Sequence, residues 1–389
     1  MAFFPLAYQR MLKPILFRFD PESVHRLFVR AGELLGSTGL GRGLVGSVYG
    51  YRGPDVSRVV DGLHYPVPVV LAAGFDYNGR LTQILRSVGF GGVEVGSVSA
   101  RPCAGNEPPR LRRAVRSQSL VVYKGLKNEG VDRIIERLKA RKRQPDFVVG
   151  VSVAMNNDPD TATVEAAIDD YATALAKLVR ADVGDYYTIN ISCPNAHLGE
   201  NFAHPERLRR LLTRLDKVAV DKPLYAKMPI GLDWETFREL VDILREHGFS
   251  GVIIGNLNKD YASLDHPDEA PAEYRGGLSG KPCREPSTEL IRKTRAYVGP
   301  DFTIIGCGGI LSAEDALEKL DAGADLLQLI SGMIFEGPHL MRDIARALAD
   351  RRLAPAPGAA LRSRRDIAPP KTARTTPQVG CGGAAGSAP

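Results

Sequence analysis

Eight short runs of aliphatic and β-branched residues, separated by stretches with helical spacing, constrain this chain more than any other feature. They occupy residues 67–74, 92–99, 147–155, 186–193, 223–229, 251–256, 303–309 and 326–331. Strands buried on both faces of a parallel sheet read as continuous apolar runs of this kind. Amphipathic stretches such as 236–247 and 313–322 lie between them. Eight β–α repeats, with no dinucleotide fingerprint after the first strand, predict a closed (β/α)8 TIM barrel rather than an open sheet.

The chain has 389 residues, and such a barrel takes about 250. The pattern assigns residues 54–353 to the barrel, 1–53 to an N-terminal helical extension and 354–389 to a basic tail. The tail is rich in Pro, Ala, Gly, Ser and Thr without apolar period, so it is expected to be disordered. In the extension, Asp20-Pro21-Glu22 reads as a helix start. Val24, Leu27, Phe28, Ala31 and Leu34 follow at helical spacing as one apolar stripe. Ahead of it, Met11, Ile15 and Leu16 interleave with Arg10, Lys13 and Arg18. Two readings stand: a helix pair docked on the barrel, or an interfacial anchor that is apolar on one side and basic on the other.

The net charge is +6. Residues 1–53 carry +4 and residues 354–389 another +4, which leaves the middle at −2. A nucleic-acid enzyme spreads basic surface over the body that grips phosphates, so nucleic acid is not the expected partner. Five scattered cysteines without a CxxC pair argue for a reducing cytoplasm and against a disulfide or zinc framework, and no metal site is expected. No apolar run approaches the roughly 20 residues of a transmembrane helix.

In this architecture the chemistry sits where strands end. Strand one ends in Ala73-Gly74, and strand four in Asn190-Ile191-Ser192-Cys193-Pro194-Asn195. Strand five carries Lys227, strand six ends at Asn256, and strand seven ends in Gly308-Gly309 ahead of a capping sequence at Ser312. The glycines predict a phosphate cup at strands seven and eight. Lys227, a charge in a buried strand, must be paired or used. It suits a Schiff-base amine or a cation facing a cofactor that gains negative charge. Cys193, flanked by amides, is either an inert thiol or a base near neutral pH.

AAGFD, EVGSVSARP, INISCPN, RGGLSGKP, IIGCGGI and ISGMIFEGP resemble, in order and spacing, the dihydroorotate dehydrogenase family over about residues 15–350. FRFDPESVH resembles the helical extension of its membrane-associated, quinone-reducing class. The resemblance implies FMN, hydride transfer from dihydroorotate to flavin in pyrimidine biosynthesis, and a quinone or another electron acceptor. It also implies a cytoplasmic protein peripheral on the inner face of the membrane. Flavin contacts fall on Ala73, Gly74, Ser97, Asn190, Lys227, Gly280, Gly309 and Ser331. Substrate contacts fall on Asn190, Asn195 and Asn256, and catalysis on Cys193, as base, and Lys227, as the cation beside reduced flavin.

This chain departs from that pattern. Cysteine at 193 belongs to the soluble class, where the quinone class carries serine. The lysine that follows the strand-one Asp is Tyr77 here. The substrate-loop asparagine is Val122, the strand-three asparagine Ser152, and the threonine after the strand-six Asn is Leu257. Each lost hydrogen-bond partner costs on the order of 1–3 kcal/mol. Lys124 or Lys127 is the expected replacement for the missing positive charge, which places Tyr77 and Lys124 in the substrate wall. Alternatives are a flavin enzyme acting on another cyclic amide or unsaturated ring, and a non-catalytic FMN-binding protein.

Overall fold

The computed structural model describes residues 7–192, 202–271 and 273–353. All eight expected strands form: β1 (Val69–Leu71), β2 (Gly92–Val98), β3 (Val148–Val153), β4 (Tyr186–Asn190), β5 (Leu224–Met228), β6 (Gly251–Ile254), β7 (Thr303–Cys307) and β8 (Leu326–Leu329). They pair in parallel in sequence order, and β8 pairs with β1, which closes the barrel. Helices such as Val164–Ala181, Trp234–Glu246 and Ala313–Asp321 surround it. Each strand is shorter than its apolar run because the run continues into the loop that builds the upper rim.

Side chains fill the barrel. At its centre the fully buried Glu94 accepts hydrogen bonds from Thr188 Oγ1 and Gln328 Nε2, each at 2.9 Å, and from Tyr186 Oη at 3.2 Å. At the end where the strands begin, the hairpin of Arg58–Val60 and Leu63–Tyr65 forms a plug. Its Asp61 accepts hydrogen bonds from Tyr225 Oη at 2.6 Å and Thr303 Oγ1 at 2.8 Å. With that end sealed, a ligand is left the end where the strands finish. Over the finishing end lies a three-stranded antiparallel sheet of Leu111–Ala114, Ser119–Val122 and Gly277–Leu278.

The extension forms α1 (Pro21–Ser37) and α2 (Gly39–Tyr49), with Asp20 capping α1 through Ser23 N as its sequence predicts. The apolar stripe of α1 is split: Val24 and Phe28 turn to the barrel's upper rim, and the leucines do not. Leu27 is 59% exposed and Leu34 71%, and Leu40 at the start of α2 reaches 87%. The barrel side of α1 is instead its narrow face. A Cβ on Gly32 would fall 2.6 Å from Leu81 Cδ2, and one on Gly36 3.2 Å from Ile84 Cβ. The extension is thus a docked pair that also carries the leucines of its apolar stripe outward. The C-terminal tail lies outside the described residues.

Candidate active site

Between the upper rim and the extension lies a mostly apolar cavity of about 280 Å³. Its floor comes from the strand ends, as Ala73, Gly74, Ser97, Asn190 and Lys227. Its sides include Tyr77, Lys124, Asn256 and Ser331, and its roof is Phe17, Val24, His25 and Phe28. Residues more than 300 positions apart in sequence, Phe17 and Ser331, therefore line one cavity. Gly280 and Gly309 are buried but are not part of it. Cys193 and Asn195 lie outside the described residues.

The floor is ordered by a short chain of hydrogen bonds. Asn190 Nδ2 donates to Ser97 Oγ at 2.9 Å, and Ser97 Oγ lies 2.9 Å from Ser152 Oγ. Tyr171 Oη fixes the Asn190 carbonyl at 2.6 Å. Asn256 Nδ2 donates to Ser192 O at 3.0 Å and Ser192 Oγ at 2.6 Å, joining the ends of β4 and β6. Ser152 thus holds Ser97, so a serine in place of the expected asparagine keeps one polar link and gives up reach.

Lys227 is 5% exposed and, among the described residues, its ammonium has no hydrogen bond or ion pair. A buried cation without a partner is costly unless a ligand completes it. On the same cavity, Gly74 holds φ +108°, and a Cβ there would meet only Ile330 Cδ1, at 3.9 Å. One cavity thus offers an open stretch of backbone and an unpartnered ammonium, and these residues fit a flavin. Ser331, at the start of Ser331–Phe335, pairs its hydroxyl with Ser279 at 2.8 Å on the same wall. The capping sequence forms as its residues predict: Asp315 N donates to Ser312 Oγ at 3.1 Å and the Asp315 carboxylate accepts from Ser312 N at 3.0 Å, a capping box at the start of Ala313–Asp321.

The roof carries groups that the strand-end reading left out. His25 Nε2 donates to Phe75 O at 2.8 Å, while its buried Nδ1 has no partner. Its ring stacks on Tyr77, with centroids 5.5 Å apart and planes 26° apart. Burial first, and the nearby Lys124 charge second, push its pKa down to about 4. The imidazole is neutral at neutral pH. Arg113 also faces the cavity and donates to Phe19 O at 2.8 Å.

Lys124 faces the cavity, and its ammonium lies 5.6 Å from the Tyr77 ring centroid. It is not free, however: Glu22, in the first turn of α1, sits 3.4 Å from Lys124 Nζ, 3.3 Å from Arg110 Nη1 and 3.8 Å from Lys127 Nζ. Burial works against the Glu22 charge, but Lys124, Arg110 and Lys127 outweigh it and hold the carboxyl below its usual range. Nothing in residue spacing pointed to this contact across a hundred positions.

A closed parallel barrel with an unpartnered lysine and hydrogen-bonded amides at its strand ends fits an oxidoreductase site that holds a flavin. The family model for dihydroorotate dehydrogenase matches residues 56–351. A dihydroorotate dehydrogenase (quinone) of Paraburkholderia phymatum is 38% identical over 352 residues, covering 88% of this chain and 97% of the relative. One of Christiangramia forsetii is 35% identical, covering 89% of this chain and all of the relative. The crystal structure of an Eimeria tenella enzyme of this name in complex with ferulenol superposes with a TM-score of 0.74. It is 26% identical and covers 85% of this chain and 91% of that one. The chain belongs to the dihydroorotate dehydrogenase family.

Proposed function

We propose that this protein is an FMN-dependent dehydrogenase that oxidises dihydroorotate to orotate and passes the electrons to a quinone. One observation carries the reading: a single cavity has the barrel's polar floor at one end and the extension's apolar helices at the other. Ala73, Gly74, Ser97, Asn190, Lys227 and Ser331 would hold FMN, with Gly280 and Gly309 behind the wall. Bound there, FMN supplies the acceptor for a hydride from the substrate ring.

The chain's own groups do the rest. Lys227 places a positive charge where negative charge would otherwise accumulate, in a site that excludes water. Asn190 and Asn256 orient the ring's amide groups, with Asn195 assigned beside them by its motif. Cys193, assigned by the same motif, takes the proton from one ring carbon while the neighbouring carbon gives up its hydride, which leaves a C=C bond between them. The oxidant approaches through the roof, past Phe17, Val24 and Phe28, and the hydroxyl of the quinol it becomes would donate to the unanswered Nδ1 lone pair of neutral His25.

Among the described residues no helix is long and apolar enough to cross a membrane. The exposed Leu27, Leu34 and Leu40, with Arg10, Arg18, Arg26 and Arg30 on the same extension, suit a peripheral seat on an anionic bilayer from the cytoplasmic side. Such a seat would bring the roof to the quinone pool.

The test is the anaerobic spectrum of the purified holoprotein, before and after L-dihydroorotate, followed by a short-chain quinone. Bleaching and then recovery of the flavin absorbance is the expected result. A yellow protein that dihydroorotate leaves unbleached overturns the substrate assignment. It would favour a less polar ring, for which Val122, Leu126 and Leu257 already form the side of the cavity.

A further inference from the structure

The charge around Glu22 does not balance. Among the described residues this one buried carboxylate is the acid shared by Arg110, Lys124 and Lys127, so the cluster keeps two positive charges in excess. Two of the three cations, Lys124 and Lys127, line the cavity, on the side that also holds Tyr77 and Asn256. An uncompensated positive wall on a largely apolar cavity is stable in water only at the cost of its desolvation, and an entering anion recovers that cost.

We propose that Lys124 and Lys127 form the seat for the substrate's carboxylate, and that Glu22 of α1 is the positioning residue that holds Lys124 toward it. The inference rests on the reading that the site takes a ring carboxylate. It goes further in moving the recognition cation from the β1 loop, where Tyr77 now stands, to the loop after Ser119–Val122. It also makes the N-terminal extension part of substrate selection. Arg110 anchors Glu22 from behind, and its Nε is itself bonded to Asn106 O. The Glu22 carboxylate and the incoming one are then shared among three cations, a ratio that accommodates both. Lys124 is faced by Glu22 and His25 from α1, Lys127 from its own loop, Arg110 from the preceding segment and the Tyr77 ring from the β1 loop. Glu22 is the one negative charge in that set, and with the Tyr77 ring it favours the protonated form of Lys124.

The experiment is calorimetric titration of the oxidised holoprotein with orotate and, separately, with uracil, which lacks the carboxylate. Lys124→Met should weaken orotate about tenfold or more, the loss of one charge-assisted contact, and leave uracil unchanged. Lys124→Arg should restore most of the orotate affinity. Glu22→Gln should move the alkaline limit of orotate binding to lower pH without altering uracil binding, a change that mere loosening of α1 would not produce. Equal loss of both ligands in Lys124→Met with no rescue by arginine, or orotate affinity unchanged by the substitution, overturns the proposal. So does a wild-type protein that binds orotate no better than uracil. Tight orotate binding without flavin bleaching by dihydroorotate would instead overturn the redox reading and leave the seat standing.

Discussion

Lys227 and His25 are two buried bases that the fold leaves incomplete in opposite ways. The Lys227 side chain has no hydrogen-bond or ion-pair partner among the described residues, and His25 gives up its charge but keeps a lone pair unanswered. Replacing Lys227 with Met should lower FMN affinity by on the order of tenfold or more, because a buried charged contact is lost. The flavin-free protein should be no less stable to heat, since an unpaired buried ammonium has been removed. Fluorescence titration with FMN and a melting curve of the stripped protein check both. For His25 the sign follows from its depressed pKa. Between pH 6.5, the unfolded value, and about 4, the folded value, the unfolded chain takes up a proton that the native state refuses. Stability therefore falls as pH drops through that window and stops falling from this source below it. Melting temperatures of wild type and His25→Phe, compared from pH 7 to pH 4, should show a shallower decline in the variant.

At the scale of elements, α1 is held to the barrel by small residues and ions rather than by its apolar stripe. Glu33 pairs with Arg80 at 3.0 Å and with Arg141 at 2.5 Å, and Gly32 and Gly36 allow the close approach. A branched side chain at Gly36 would press on Gln83 and Ile84, at a cost of about 1–3 kcal/mol for overpacking. Gly36→Val should therefore free α1 before it unfolds the barrel. Limited proteolysis is expected to cut the extension first, and quinone reduction should fall more than anaerobic bleaching by dihydroorotate. A proportional fall in both would mean that α1 serves the first half-reaction as much as the second. The helix was legible from its spacing, but its orientation was not. Periodicity shows that one face is apolar; it does not say whether that face meets a core or lies outward.

For the molecule as a whole, the exposed leucines and the barrel's upper rim share the extension, so membrane contact and oxidant entry would be coupled by geometry. A Leu34→Glu and Leu40→Glu double variant should lose sedimentation with anionic vesicles, since each leucine would otherwise bury an apolar side chain worth about 1.5–3 kcal/mol. Turnover with a water-soluble quinone analogue should stay near the wild-type rate. Equal vesicle binding by the variant would place the contact elsewhere.

The eight strands and the rim positions of Ala73, Gly74, Asn190, Lys227, Asn256 and Ser331 followed from the strand pattern of the sequence, and Ser97 from its resemblance to the family. A buried parallel strand must be apolar throughout, and its end is marked where small and polar residues take over. Tertiary structure decided what those residues could not announce. Gly280 and Gly309 stand behind the cavity wall rather than on it, because the backbone there is packed on Gln118 and Arg284. Lys124 meets Glu22, His25 stacks on Tyr77, and α1 turns Leu27 and Leu34 of its stripe outward. Each is a contact between segments far apart in the chain, whose energy depends on distance and burial, and neither quantity is encoded in the spacing of residues along one segment.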